Sequence, residues 1–369
     1  MSTQATAAVA RIPAGAFSLE PVEIADPQPG EILVKIAGVG LCHTDLVFGA
    51  RLQIMKPPAV LGHEGSGVVQ SVGAGVTKVA KGDHVVLTFN SCGQCPRCVE
   101  GLPAYCFSFP KLNYAGARPD GSSAISIGDE TASANFFGQS SFATHAMANE
   151  RNVIPIARDV PIELMGPLGC GVQTGAGAII NSLACAKGSS LLVIGGGAVG
   201  LSAVLGAVVQ GCATIIVVEP KASRRAMALE LGATHVIDPI GADLPALVRA
   251  ILPMGVDYAF DTSGLKDVIS AAIGCLAPHA KFGLVGVPPQ VDDLLTVPLN
   301  MMIGAGFSFI GIIEGDSDPD HFIPQLIDLY RAGRFPFDKL ITTYRLDQIN
   351  QAVSDQHAGL CIKPVMIPN

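Results

Sequence analysis

A thiol and an imidazole about twenty residues apart, each close to a carboxylate, make a candidate for metal chemistry. They lie in Cys42-His43-Thr44-Asp45 and in Gly62-His63-Glu64-Gly65. A third soft ligand is on offer far downstream, at Cys170 in Pro167-Leu168-Gly169-Cys170-Gly171. A Cys/His/Cys set is one of the open zinc sites, in which three protein ligands leave a fourth position for water or substrate. A second group is denser. Cys92-Gly93-Gln94-Cys95-Pro96-Arg97-Cys98 is followed by Cys106, with seven residues in the last gap. Four thiolates at that spacing close a tetrahedron around Zn²⁺ and leave no open position, so this site reads as structural. An iron–sulfur cluster is excluded because its bacterial run closes in three residues before Cys-Pro, whereas Cys106 precedes Phe107.

A third motif carries no ligand. The apolar run Ser190–Ile194 leads into Gly195-Gly196-Gly197-Ala198-Val199-Gly200, an apolar helix through Val209, and a second strand-like run, Thr214–Val218, ending in Glu219. Glycines in this frame suit a tight turn at Gly195, close backbone approach to a pyrophosphate at Gly197 and helix–strand packing at Gly200. The phosphates would sit on the helix N-terminus, near Val199. A carboxylate at Glu219 suits the ribose hydroxyls of NAD and repels the 2′-phosphate of NADP; Lys221, Arg224 and Arg225 nearby pull the other way.

These groups need a scaffold. A chain of 369 residues, 49% hydrophobic and 15% charged with 42 glycines, fits two domains with a buried sheet. A net charge of −8 without a Lys/Arg cluster argues against nucleic acid or anionic membrane as partner. The uncharged stretches Gly188–Val218 and Leu294–Ile313 are long enough to span a bilayer, but glycines, Pro298 and Asn300 interrupt them. With no signal-like run in Met1–Pro13, a cytoplasmic location is expected. Cys185, Cys212, Cys275 and Cys361 read as core residues.

The predicted class is α/β. Residues 1–171 alternate like antiparallel strands, with a strand expected at Ser141–Ala146 and a helix from Val172 to Ala184. Residues 172–310 alternate strand and helix as in a doubly wound parallel sheet. The tail, 311–369, has two helices and a closing strand around 361–367, and is expected to return to the first domain.

Through Gly62-His63-Glu64, the four-Cys lobe, Cys170 and Gly195–Gly200 with Glu219, the chain resembles the zinc-dependent medium-chain alcohol dehydrogenases over nearly its whole length. Phe137–Phe142, Gly166–Gly171 and Phe335–Asp338 are similar to the aryl-alcohol branch, whose relatives include enzymes of allylic alcohols such as geraniol. The resemblance implies a GroES-like catalytic domain joined to a Rossmann domain, with two zinc ions and NAD. Cys42, His63 and Cys170 would hold catalytic zinc, Asp45 would orient His63, Glu64 would lie behind the metal, and Thr44 would take the alcohol proton before hydride passes to the nicotinamide. His43 and Lys363 would lie near the cofactor pyrophosphate. Many relatives carry a proton-relay histidine three residues after Thr44, where this chain has Val47. Phe48, Phe89, Phe137 and Ile312 are candidates for an apolar substrate pocket, with core packing an equal reading. A homo-oligomer, a tetramer by resemblance, is expected. Two other functions stay open: dehydrogenation of a thiol adduct of formaldehyde, and a non-catalytic structural role.

Overall fold

The computed structural model describes residues 2–290 and 292–368. The chain divides into one compact unit made of Met1–Gly171, Asp318–Arg331 and Asp338–Asn369, and another made of Val172–Ser317 and Ala332–Phe337.

The first unit is built from two sheets. One runs Ala59–Val60, Thr3–Ala10, Ser18–Ile24, Ile125–Ile127, Glu130–Thr131. The other runs Val153–Ile156, His84–Leu87, Gly65–Val72, Glu31–Gly40, Lys363–Ile367, Ile341–Arg345, with His145–Asn149 also paired to Glu31–Gly40. In Ser18–Ile24 the burial alternates along the strand, as a sheet with one solvated face requires. The last strand pairs antiparallel with Glu31–Gly40, Val365 opposite Gly40, so the C-terminus is woven into the sheet that carries the first metal motif.

The second unit holds a six-stranded parallel sheet in the order His235–Ile237, Thr214–Val218, Ser190–Ile194, Val256–Asp261, Leu276–Leu284, Ser308–Gly311. Its central strands are apolar at nearly every position because both faces are covered, and Leu192, Ile194, Ile216 and Val218 anchor a core with Ala259, Phe282 and Val248.

Several expectations shift. Ser308–Gly311 is a sixth strand of the parallel sheet, and Gly315 backs so closely onto Gly177 that a Cβ there would meet its carbonyl at 2.5 Å; the chain therefore leaves the second unit after Ser317, not at residue 311. The strand expected at Ser141–Ala146 begins at His145, because positive φ at Phe137 and Ser140 holds the preceding segment in turns. The helix expected from Val172 to Ala184 is α-helical only over Gly171–Gly177 and continues as a π-turn through Ser182. Among the described residues no helix is long and apolar enough to cross a membrane.

Candidate active site and zinc centres

Asp45 ties the first motif together. Cys42 caps the helix His43–Ala50, and Asp45, one turn in, accepts from the Cys42 backbone N–H at 2.9 Å through Oδ2. Its Oδ1 accepts from the Gly62 N–H at 3.1 Å and faces His63 Nδ1 at 2.8 Å. The carboxylate is fully buried, so three donors satisfy it and fix it. An acceptor at Nδ1 assigns the proton there and leaves Nε2 as a lone pair. That Nε2 is buried and has no hydrogen-bond partner in the protein. One ligand atom each from Cys42, His63, Glu64 and Cys170 lies within 4.8 Å of the others. Two thiols, a correctly presented imidazole nitrogen and an orphaned lone pair fit zinc.

At Cys42 the electrostatics agree with that donor set. Cys170 first of all, and then the nearby charge of His63, hold the Cys42 thiol well below its ordinary range in spite of burial. Burial alone would lower the His63 pKa, but the Asp45 charge and hydrogen bond raise it overall. Replacing Asp45 with asparagine is expected to weaken zinc at this site 10- to 100-fold, about the usual cost of losing such a partner, and chelator competition measures it. An affinity equal to wild type would show that Asp45 does not orient His63.

Behind these ligands, burial pushes the Glu64 carboxyl up to about 7 against the pull of Lys363. Lys363, expected near the cofactor pyrophosphate, is tied to the first metal motif. It is 2% exposed, and its Nζ donates to Glu64 Oε1 at 2.6 Å and to the Leu41 carbonyl at 3.1 Å. The strand pairing of the C-terminus carries the amine beneath the site and commits it there. Glu64 also accepts from the Gly171 N–H at 3.0 Å, which links it to the segment that bears Cys170. The room for Glu64 comes from Gly40, where a Cβ would lie 2.0 Å from Oε2. Thr44 is half-buried, and its hydroxyl oxygen accepts from the Cys42 thiol at 3.7 Å; His43 is exposed.

An aromatic cluster flanks the imidazole. Phe137 stacks on His63 with ring centres 4.4 Å apart, and Phe136 meets it edge-on at 5.4 Å. Phe48 lies 4.9 Å from both Phe136 and Tyr114. Phe89 is buried against Phe109, one ring further out. Ile312 belongs to the second unit, where its Cδ1 covers Gly283. Sequence reasoning missed Phe136, Tyr114 and Gln139. Gln139 donates to the His63 carbonyl at 2.9 Å and accepts from the Gly65 N–H at 3.1 Å, holding the ligand loop from the far side. The signal available was the pair Phe136-Phe137 just ahead of a polar run.

The four-cysteine lobe has the metric of a closed site. Cys92–Cys98, Cys95–Cys98 and Cys95–Cys106 sulfurs are 3.9, 3.6 and 4.0 Å apart. Thiolates bonded to one tetrahedral zinc sit about 3.8 Å from each other. Backbone N–H groups of Cys92, Cys95 and Ser108 point at the sulfurs at 3.3–3.4 Å, offsetting their charge.

In the second unit the glycine turn also fits its ligand. Gly195 has φ +100°, open to glycine and strained for any other residue. A Cβ on Gly200 would lie 1.9 Å from the Gly195 carbonyl, so packing demands glycine there. On Gly197 it would meet no protein atom within 4 Å, so packing makes no such demand and ligand approach accounts for that glycine. The helix Ala198–Gln210, which carries Val199, has no side chain capping its N-terminus and leaves N–H groups for an anion. Glu219 accepts from the Gly196 N–H at 2.7 Å and the Lys221 N–H at 2.8 Å, with Arg224 4.0 Å away.

Comparison with known proteins agrees with this geometry. Residues 28–158 match the alcohol dehydrogenase GroES-like domain, and residues 198–332 match the zinc-binding dehydrogenase domain. The chain is 48% identical to geraniol dehydrogenase of Castellaniella defragrans over 98% of its length and 97% of that protein's. It is 33% identical to S-(hydroxymethyl)glutathione dehydrogenase of Paracoccus denitrificans, covering 94% of this chain and 95% of that one. The crystal structure of benzyl alcohol dehydrogenase from Acinetobacter calcoaceticus superposes with a TM-score of 0.96 at 41% identity over the whole of both chains. The chain belongs to the zinc-dependent alcohol dehydrogenases.

Proposed function

We propose that this alcohol dehydrogenase oxidises aromatic or allylic primary alcohols to their aldehydes, reversibly and with NAD. The observation that carries the substrate class is the aromatic wall beside the metal-binding imidazole. Phe137, Phe136, Phe48 and Tyr114 present ring faces and edges within one ring's reach of His63. A planar aryl or allyl group gains aromatic contact there that a short alkyl chain lacks. For the cofactor, Glu219 braces the glycine turn, with Arg224 4.0 Å from its carboxylate and Arg225 donating to its carbonyl at 2.8 Å, and the carboxylate supports NAD over a 2′-phosphate.

Zinc held by Cys42, His63 and Cys170 would polarise the alcohol oxygen and lower its pKa. Thr44 Oγ1 receives the proton and passes its own on to water, Asp45 keeps His63 Nδ1 protonated, and Glu64 with Lys363 forms a neutralised pair behind the ligands. Self-association supports itself on an apolar edge of the second unit. Leu294, Leu299 and Ile303 are 74–81% exposed in the segment that leads into the edge strand Ser308–Gly311. A second copy is the occupant that such an edge suits.

The test is NADH absorbance with zinc-loaded protein and a panel of benzyl alcohol, cinnamyl alcohol, geraniol, ethanol and the glutathione adduct of formaldehyde, each with NAD and with NADP. Turnover of aryl or allylic alcohols with NAD, ethanol being poor, is expected. Preference for the thiol adduct would replace the substrate class and leave the reaction type standing. Phe48→Ala is expected to raise KM for benzyl alcohol about tenfold, the equivalent of one lost aromatic contact, with KM for ethanol little changed. Equal effects on both alcohols would remove the wall from substrate recognition.

A further inference from the structure

Asp45 fixes the ring of His63, but a ligand is placed by its backbone as well. The Gln139 side chain, buried against the ligand loop, holds that backbone. Its Nε2 donates to the His63 carbonyl at 2.9 Å and to the Thr88 carbonyl at 3.1 Å. Its Oε1 accepts from the Gly65 N–H at 3.1 Å and from the Ser141 hydroxyl at 2.9 Å. Both N–H donors and both lone pairs are used, so the amide has one orientation. Thr88, fully buried, carries the connection onward: its hydroxyl donates at 2.7 Å to the carbonyl of Gly169, the residue before Cys170. On the reading that His63 and Cys170 ligate one zinc ion, we infer that Gln139 and Thr88 form a buried bridge that fixes the separation of these two ligands. Both are then positioning residues for the metal.

The surrounding backbone is cut to the bridge. A Cβ on Gly65 would lie 2.8 Å from Ser141 Cβ and 3.1 Å from Gln139 Oε1, so the approach of Gln139 demands glycine there. A Cβ on Gly169 would lie 2.0 Å from the Leu87 carbonyl, so glycine lets the Cys170 segment come up to Thr88. Gln139 is brought in by the residues that follow it. The Ser141 N–H donates to the Gly62 carbonyl at 2.9 Å and the Phe142 N–H to the Leu61 carbonyl at 3.0 Å. Thr88 is held at the other end by Asn152. The Asn152 Nδ2 donates to the Thr88 carbonyl at 3.1 Å, and the Asn152 carbonyl accepts from the Thr88 N–H at 3.0 Å.

The other flank of Cys170 is tied through the Gly171 N–H to Glu64. Glu64 lies between His63 and Gly65, the two residues whose backbone Gln139 holds. His63 and Cys170 are thus joined twice, through Glu64 on one side and through Gln139 and Thr88 on the other. The two ties differ in kind. Glu64 is ionisable and bonded to Lys363, whereas the bridge consists of an amide, a hydroxyl and peptide groups, none of them charged. A neutral link sets distance without adding charge beside the metal. Ligands held apart at the right distance also reduce the ordering that metal binding requires.

The experiment measures zinc affinity by chelator competition, and the visible spectrum once cobalt replaces zinc at this site. The variants are Thr88→Val, Thr88→Ser, Gln139→Met and the double variant Thr88→Val with Gln139→Met. Thr88→Val keeps the shape of the side chain and removes the hydroxyl. It is expected to lower zinc affinity at this site about 10- to 100-fold and to shift the cobalt bands, with the four-cysteine zinc retained. Thr88→Ser returns the hydroxyl and should restore both. Because the two side chains act in series, the double variant should bind zinc no more weakly than Gln139→Met alone, whereas independent contributions would multiply. Should Gln139→Met fail to fold, the two Thr88 variants decide. A role in stability alone would lower the melting temperature of Thr88→Val and leave its zinc affinity and cobalt bands as in wild type. That result, or multiplying losses in the double variant, would overturn the inference. Cys170→Ser run alongside separates the two readings: if it keeps both zinc ions, the ligand set fails and the bridge with it. If it loses one while Thr88→Val binds zinc as wild type does, the bridge alone fails.

Discussion

Replacing Cys170 by serine is expected to cost this dehydrogenase one of its two zinc ions and at least about a thousandfold in kcat/KM, the equivalent of several kcal/mol of lost Lewis-acid stabilisation. Cys170 is 7% exposed and enters the site from a Gly-flanked bend whose neighbour, the Gly171 N–H, is already bonded to Glu64. Serine keeps the size of the side chain and leaves Asp45 and His63 bonded to each other, so the fold should survive. A serine hydroxyl is a poor substitute for a thiolate toward zinc, and the two remaining ligands no longer define an open tetrahedral site. Metal analysis should therefore fall from two zinc ions per chain to one. Cys98→Ser is the contrasting variant: it opens the closed lobe, and there the first loss should be thermal stability. A Cys170→Ser protein with both zinc ions and full turnover would take Cys170 out of the ligand set.

The second large effect is expected at Thr44. Its hydroxyl, proposed above to take the alcohol proton, is half-buried in the first turn of His43–Ala50 and lies 3.7 Å from Cys42 Sγ. A positioned acid–base group contributes about 10²–10⁴ in rate, so Thr44→Val should lose that much in kcat while zinc content stays at two. Thr44→Ser keeps the oxygen and should recover to within about tenfold of wild type. Loss in both variants alike would mean that the methyl group, and so packing, matters at this position. Full activity in Thr44→Val would hand the proton to water.

The Glu64–Lys363 contact shows where reading the chain stops. Glu64 and Lys363 are separated by 299 residues and joined by a 2.6 Å hydrogen bond. No local pattern encodes that contact. It exists because Lys363–Ile367 inserts beside Glu31–Gly40, and pairing register decides which side chains share a face. The same holds for Phe137. Its residue type suited a pocket, but its positive φ and its stacking on His63 follow from turns that only the assembled sheet imposes.

What the sequence alone determined was chemistry that spacing limits. Cys92 to Cys106 form a closed four-thiolate site because ligands so close in the chain have few other geometries open to them. The glycine turn between two buried strand runs was equally legible, since Gly195 and Gly200 are demanded by backbone angle and contact within one strand–turn–helix unit. Tertiary structure decided everything assembled across distance: the convergence of Cys42, His63 and Cys170, the three donors on Asp45 and the burial of Lys363. Residue types name what a side chain can do; sheet register and loop closure choose which of them meet, because those contacts are bought with long-range packing that local sequence does not specify.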